Sequence, residues 1–213
     1  MTVQDVHARS LSKATVLSGF HHMEHAVSPY EVIAALNEAG VSFVLVGAYG
    51  LGGWIGKPRA TEDVDVIVAA KHLKKAIKVL LAAFPHLEVD DLPVVTRLRD
   101  RASKAVAIDV MKPNQQLFRA AFKHTRAITS EGQTYRIPSL EMALAMKFAP
   151  MVSLYRRDLD KYQDAHDFGH MVLANPDIDL EKLAELGDLV YPGGGQEIVE
   201  KVGQVRAGET LKL

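Results

Sequence analysis

Phe43-Val44-Leu45-Val46-Gly47-Ala48-Tyr49-Gly50, followed by Arg59-Ala60-Thr61-Glu62-Asp63-Val64-Asp65-Val66-Ile67-Val68, decides how the chain is read. The first half is a short apolar run ending in glycine. The second is an apolar run interrupted by two aspartates one residue apart. Alternate side chains of a strand share a face, so Asp63 and Asp65 point one way and Val64 and Val66 the other. Two adjacent carboxylates repel each other and resist desolvation, so packing alone gives no reason to place them at a strand start. A divalent cation removes both objections, and Mg²⁺ favours a few carboxylate oxygens plus water and substrate phosphates. Upstream, glycine lets the backbone approach a ligand closely, and a helix N-terminus offers amide donors to phosphate. Strand, Gly47-Ala48 turn, helix and Asp-x-Asp strand together describe a phosphate cradle facing a metal site.

A third carboxylate lies further on. Ala105-Val106-Ala107-Ile108-Asp109-Val110 reads as an apolar strand in which Asp109 is costly unless paired or metal-bound. Asp109 is therefore the natural partner of Asp63 and Asp65.

The bulk numbers fit a globular protein. The 213 residues suffice for one sizeable core or a core with an appendage. No apolar run has the length of a membrane span, and residues 1–20 lack the apolar centre of a signal peptide. The absence of cysteine excludes disulfides, thiolate metal sites and cysteine nucleophiles, and a cytoplasmic location is expected. A net charge of −1 conceals an asymmetry. Residues 97–136 carry nine Lys/Arg against three Asp/Glu, whereas residues 138–213 carry eight against thirteen. A basic middle favours a local anionic ligand such as a triphosphate or RNA.

Residues 1–27 are weakly patterned and expected to form an N-terminal arm; its His21, His22 and His25 read as solvated. Ser28-Pro29-Tyr30-Glu31 is a capping-box helix start, and Gly40 ends that helix. A short helix and then a glycine-loosened loop anchored by Trp54 and Ile55 are expected after Gly47. Lys71 to Ala83 is amphipathic. Val94 to Arg101 reads as a strand with Arg97, Arg99 and Arg101 on one side, Asn114 to Phe122 as a short helix, and residues 124–137 as a hairpin. Ser139 caps an apolar helix carrying Lys147, which either snorkels or reaches an anion. Arg157 to Val172 is a helix with Lys161, Asp164 and Asp167 on roughly one face. Its His166 and His170 are four apart, but no H-E-x-x-H pattern accompanies them. A helix over 180–189, a Pro192-Gly193-Gly194-Gly195 hinge and a short amphipathic tail complete the chain.

The order of these features resembles the DNA polymerase β-like nucleotidyltransferase superfamily: apolar strand, Gly47-Ala48, fourteen residues, Asp63-Val64-Asp65, later Asp109. Within it the chain is similar to the AbiEii/MenT-type toxins of bacterial toxin–antitoxin systems. Their glycine turn leads through an "R.T.D.D" strand to a helix matched here by Ala143-Leu144-Ala145-Met146-Lys147. An "R..K..D..D" helix is matched by Arg157, Lys161, Asp164 and Asp167. The likeness runs from about Ser42 to Val172. Ala48 departs from the usual glycine or serine, and Gly50 stands where a small alanine is usual.

The resemblance implies an α/β (α+β) nucleotidyltransferase fold: a small mixed β-sheet flanked by helices, then a helical C-terminal part. The expected boundaries are 1–27 for the arm, 28–137 for the core and 138–213 for the helical part, with the site between the last two. It implies NTP as substrate, two Mg²⁺ ions, and transfer of NMP to a hydroxyl, most often at the 3′ end of tRNA. Asp63, Asp65 and Asp109 would hold metal; Gly47, Ala48, Arg59, Thr61 and Lys147 would bind nucleotide; Lys147 and Asp164 would join the carboxylates in catalysis. Asp164 is chosen over Asp167 because it directly follows the Lys161-x-x step. A cognate antitoxin is the implied protein partner. The alternatives are a small-molecule or protein hydroxyl as acceptor, or a non-catalytic nucleotide- or partner-binding module.

Overall fold

The computed structural model describes residues 3–5, 27–55, 61 and 63–211. The expected N-terminal arm, its three histidines and Arg59 fall outside these residues, apart from a helical stretch at 3–5 and Val27. The chain forms two compact units, Met1–Pro138 and Ser139–Leu213.

The first unit is built on a five-stranded sheet of order β1-β2-β5-β4-β3. These strands are β1 (Phe43–Leu45), β2 (Val64–Val68), β3 (Leu87–Asp91), β4 (Val95–Asp100) and β5 (Val106–Met111). Only β2 and β5 run parallel; the other neighbours are antiparallel. The sheet is therefore mixed, with β2 and β5 inside it, and their valines and isoleucines other than Val106 are buried. Helix α1 (Pro29–Glu38) starts at the Ser28/Glu31 capping box and buries Val32, Ile33 and Leu36. Gly40 follows its C-cap with φ +63°, the left-handed turn glycine adopts at no steric cost.

The glycine-rich stretch after β1 is more regular than its composition suggests. Gly47–Ile55 is a single nine-residue helix, α2, and Trp54 belongs to it rather than to a loop. The Trp54 indole is buried and donates to the Pro138 carbonyl at 3.0 Å. Gly50 has a packing reason: a Cβ there would stand 2.5 Å from the Leu45 carbonyl oxygen. Helix α3 (Leu73–Ala83) buries Ala76 and Leu80, with Leu73, Ile77 and Leu81 half-buried. Strand β3 escaped the sequence reading; it is an edge strand whose Leu87 is buried while Val89 is exposed. Helix α4 (Gln116–Ala121) and the hairpin β6 (Thr125–Ser130) and β7 (Gln133–Pro138) complete the unit.

The second unit is helical: α5 (Leu140–Met151), α6 (Asp158–Ala174), α7 (Leu180–Asp188) and α8 (Gly194–Arg206). Ser139 and Asp179 cap α5 and α7 with their side chains. Phe148, Phe168, Met171, Leu183, Ile198 and Val202 form its core. The expected glycine hinge is corrected here. Gly194 and Gly195 are buried residues of the first turn of α8. A Cβ on Gly194 would lie 2.4 Å from the Gly187 carbonyl oxygen, and one on Gly187 would lie 2.7 Å from that of Gly194. Helices α7 and α8 cross backbone to backbone, so these glycines serve packing rather than flexibility. No described helix is long and apolar enough to cross a membrane.

Candidate active site

Strand register assembles the carboxylates. Asp65 and Asp109 are direct partners across the parallel β2–β5 pair, and Asp63 sits just before β2 on the same face as Asp65. One oxygen from each of Asp63, Asp65 and Asp109 lies within 4.8 Å of the other two. Thr61 steadies the first of them, donating from Oγ1 to Asp63 Oδ1 at 2.7 Å.

The glycine turn closes over this cluster. The Val46 amide donates to the Asp65 carbonyl at 2.9 Å, prolonging the β1–β2 pairing to the edge of the turn. The Gly50 amide bonds Val46 O at 2.9 Å, so the Gly47 and Ala48 amides precede the hydrogen-bond ladder of α2. Gly47 has φ +58°, and a Cβ on it would overlap Asp65 Oδ2 at 1.8 Å. Gly47 is thus required twice, by backbone conformation and by the carboxylate lying against its α-carbon. Gly47→Ala is expected to cost about 2–4 kcal/mol, the sum of left-handed strain and overpacking. Any folded fraction would have Asp65 displaced. Thermal denaturation measures the cost, and a melting temperature within a degree or so of the parent's would contradict it.

The Asp109 side chain is 14% exposed. Desolvation pushes its carboxyl up to about 6, opposed by Arg97 and assisted by the charge of Asp63. Arg97, its register partner on β4, brings Nε to 3.5 Å from Asp109 Oδ1. Neither atom makes a hydrogen bond, although both are buried. A buried carboxylate oxygen lacking a donor, among two more carboxylates, fits a hard divalent cation, and the all-oxygen set suits Mg²⁺ or Mn²⁺.

A pH dependence follows. With a folded value near 6 against 3.8 in the unfolded chain, Asp109 contributes most stability below the unfolded value. That contribution is lost as pH rises through about 6. In chelator, Asp109→Asn is therefore expected to stabilise the fold by about 3 kcal/mol above that range, and negligibly in acid. Denaturant titrations at two pH values test this. Destabilisation at the higher pH would show that the Arg97 pair outweighs desolvation.

Other expected residues have other surroundings. The expected strand side shared by Arg97, Arg99 and Arg101 does not form a common basic edge. Instead Arg97 serves Asp109, and Arg99 pairs with Asp90 at 2.9 Å and donates to Lys104 O. Arg101 lies beyond β4 in the turn. A register shift between Leu98 and Arg99 interrupts the simple alternation on which the shared face rested.

In the second unit, Lys147 Nζ is 3.0 Å from Asp164 Oδ1 and 2.8 Å from Asp167 Oδ2. Both aspartates are buried, and Arg156 adds a second cation to Asp164 at 3.0 Å. The lysine that was expected either to snorkel or to reach an anion is held by two carboxylates. Asp164 and Asp167 share it, so the choice between them is not exclusive.

No protein-family model matches the chain, and no curated protein matches it. Among solved structures, the antibiotic-resistance factor ANT(2'')-Ia matches with a TM-score of 0.54 at 10% identity, over 94% of this chain and 100% of that one. An antigenic nucleotidyltransferase-like protein from Paracoccidioides brasiliensis matches at 0.49 and 18% identity, over 95% and 94%. The lincosamide antibiotic adenylyltransferase LnuA, with lincomycin bound, matches at 0.47 and 16% identity, over 71% and 100%. With its five-stranded mixed sheet flanked by helices, the chain has the nucleotidyltransferase fold.

Proposed function

We propose that this chain is a divalent-metal-dependent nucleotidyltransferase that moves NMP from an NTP to a hydroxyl. The acceptor we infer is the 3′ end of tRNA, and the setting a cytoplasmic toxin of a bacterial toxin–antitoxin system with a cognate antitoxin. The observation that carries the enzymatic part is the Asp63/Asp65/Asp109 cluster pressed against the Gly47 turn. The motif order from Gly47 to Asp167 supports the toxin assignment.

Asp63, Asp65 and Asp109 would hold the metal, one ion or two. Bound there, a divalent cation neutralises the triphosphate and lowers the pKa of the attacking hydroxyl. The chain's own groups supply the rest. Gly47 and Ala48 amides at the start of α2 bind phosphate oxygens, and the helix dipole favours that charge. Thr61 keeps Asp63 oriented by its 2.7 Å hydrogen bond. Asp109 would be the carboxylate nearest the attacking hydroxyl and the one to take its proton, a role that rests on the motif. The nucleotide-binding roles of Arg59 and Lys147 and the catalytic role of Asp164 rest on the motif alone.

With Arg97 and Arg99 occupied by aspartates, the acceptor's phosphates fall to exposed cations elsewhere in the basic stretch. Lys123, Arg126 and Arg136, at and within the β6–β7 hairpin, meet that description. The second reading is a small-molecule hydroxyl, since the fold is shared with an antibiotic-resistance factor.

The test is incubation with each α-labelled NTP and Mg²⁺, offering total tRNA, protein or small alcohols, with Asp65→Ala as control. Label on tRNA that the control lacks supports the proposal and names the nucleotide. Label on a small alcohol moves the acceptor to the second reading. Nucleotide binding with no transfer to any acceptor would favour a binding module.

A further inference from the structure

One turn apart on α6, His166 and His170 bring their rings to 4.4 Å between centroids, inclined at 66°. Their Nε2 atoms are 3.1 Å apart. Two nitrogens each about 2.0–2.1 Å from one ion stand roughly 2.9 Å apart at a right angle and roughly 3.3–3.4 Å apart at the tetrahedral angle. The observed separation falls between these limits, so an ion would need little movement of either ring.

The second observation concerns the far side of His166. Its Nδ1 faces Asp167 Oδ1 at 3.9 Å. Asp167 is 2% exposed and is itself fixed by Lys147 at 2.8 Å and the Gln163 amide at 3.2 Å. Metal-bound histidine commonly has a carboxylate behind the ring, on the side of the nitrogen that does not bind the ion, and Asp167 stands on that side of His166. In the metal-free protein one of the two Nε2 atoms donates to the other.

We propose that His166 and His170 form a chelate for a borderline divalent transition ion, of which Zn²⁺ is the probe, with solvent completing its shell. On binding, each ring gives its Nε2 lone pair to the ion, and the proton that one Nε2 carried moves to the Nδ1 of the same ring by way of water. Imidazole nitrogen selects Zn²⁺, Ni²⁺ and Cu²⁺, whereas the all-oxygen Asp63/Asp65/Asp109 set selects Mg²⁺ or Mn²⁺. The chain would then sort two classes of cation at two separate places. This inference stands whether or not the chain transfers nucleotides.

Calorimetric titration of Zn²⁺ into the full chain, in excess Mg²⁺ to occupy the carboxylate set, tests the site. Three forms are compared: the parent, H166Q/H170Q, and H21Q/H22Q/H25Q as a control for the other histidine cluster. His166 is 63% exposed, so glutamine there leaves the fold intact, as circular dichroism checks. The expected result is one Zn²⁺ per chain in the parent and in the control, lost in H166Q/H170Q. Retention of that ion in H166Q/H170Q, its loss in the control, or absence of binding in the parent would each overturn the proposal.

Discussion

Asp65→Asn is expected to reduce nucleotide transfer by about a thousandfold or more, the several kcal/mol that charge stabilisation by a bound metal supplies. Asparagine matches aspartate in size, so it still fits against the Gly47 α-carbon, where any added atom on the glycine would collide. What it removes is the central charge of the cluster, on the strand paired directly with Asp109. A second readout follows from the same geometry. Mg²⁺ should raise the melting temperature of the parent by mass action and raise that of Asp65→Asn far less. Losing both together ties the activity to the metal. A variant with transfer within tenfold of the parent would end the assignment of these carboxylates.

Much of this site is written in local sequence. Asp63-Val64-Asp65 fixes which side chains share a face because strand alternation is a property of the backbone. Asp109 stands out because a lone carboxylate in an apolar run needs a partner, and the β2–β5 register supplies Asp65 beside it. Helix starts at Ser28 and Ser139 are equally local, each resting on a side chain that bonds its own first turn.

What stayed hidden depends on register or on crossing distance. Arg97 looks like one cation of three until β4 is laid beside β5, when it faces Asp109 and the bulge at Leu98/Arg99 separates it from its neighbours. Gly194 and Gly195 look like a hinge because glycine's absent side chain has two uses that sequence does not separate. Only the approach of α7 shows that the use here is packing. The signal available for Arg97 was its placement on the strand preceding an apolar run with a buried aspartate, where a compensating cation is the economical solution.

Lys147→Met is expected to destabilise the protein by about 3–5 kcal/mol, the usual consequence of stranding a buried charge. Asp164 and Asp167 are 4% and 2% exposed, and Lys147 is the cation they share. Without it Asp164 keeps Arg156 at 3.0 Å and Asp167 keeps the Gln163 amide at 3.2 Å. The double variant Lys147→Met/Asp167→Asn, which removes one charge of each sign, should recover most of the stability while leaving the Arg156–Asp164 pair in place. Denaturant unfolding of the three forms measures this. A single variant within about 1 kcal/mol of the parent would show that the lysine does not hold the acids. The double variant also separates two meanings of lost activity. Lys147→Met alone would fail through its fold whatever the lysine touches during catalysis. A double variant that is stable but inactive would point to a contact between Lys147 or Asp167 and the substrate, and one that is stable and active would confine the cluster to architecture.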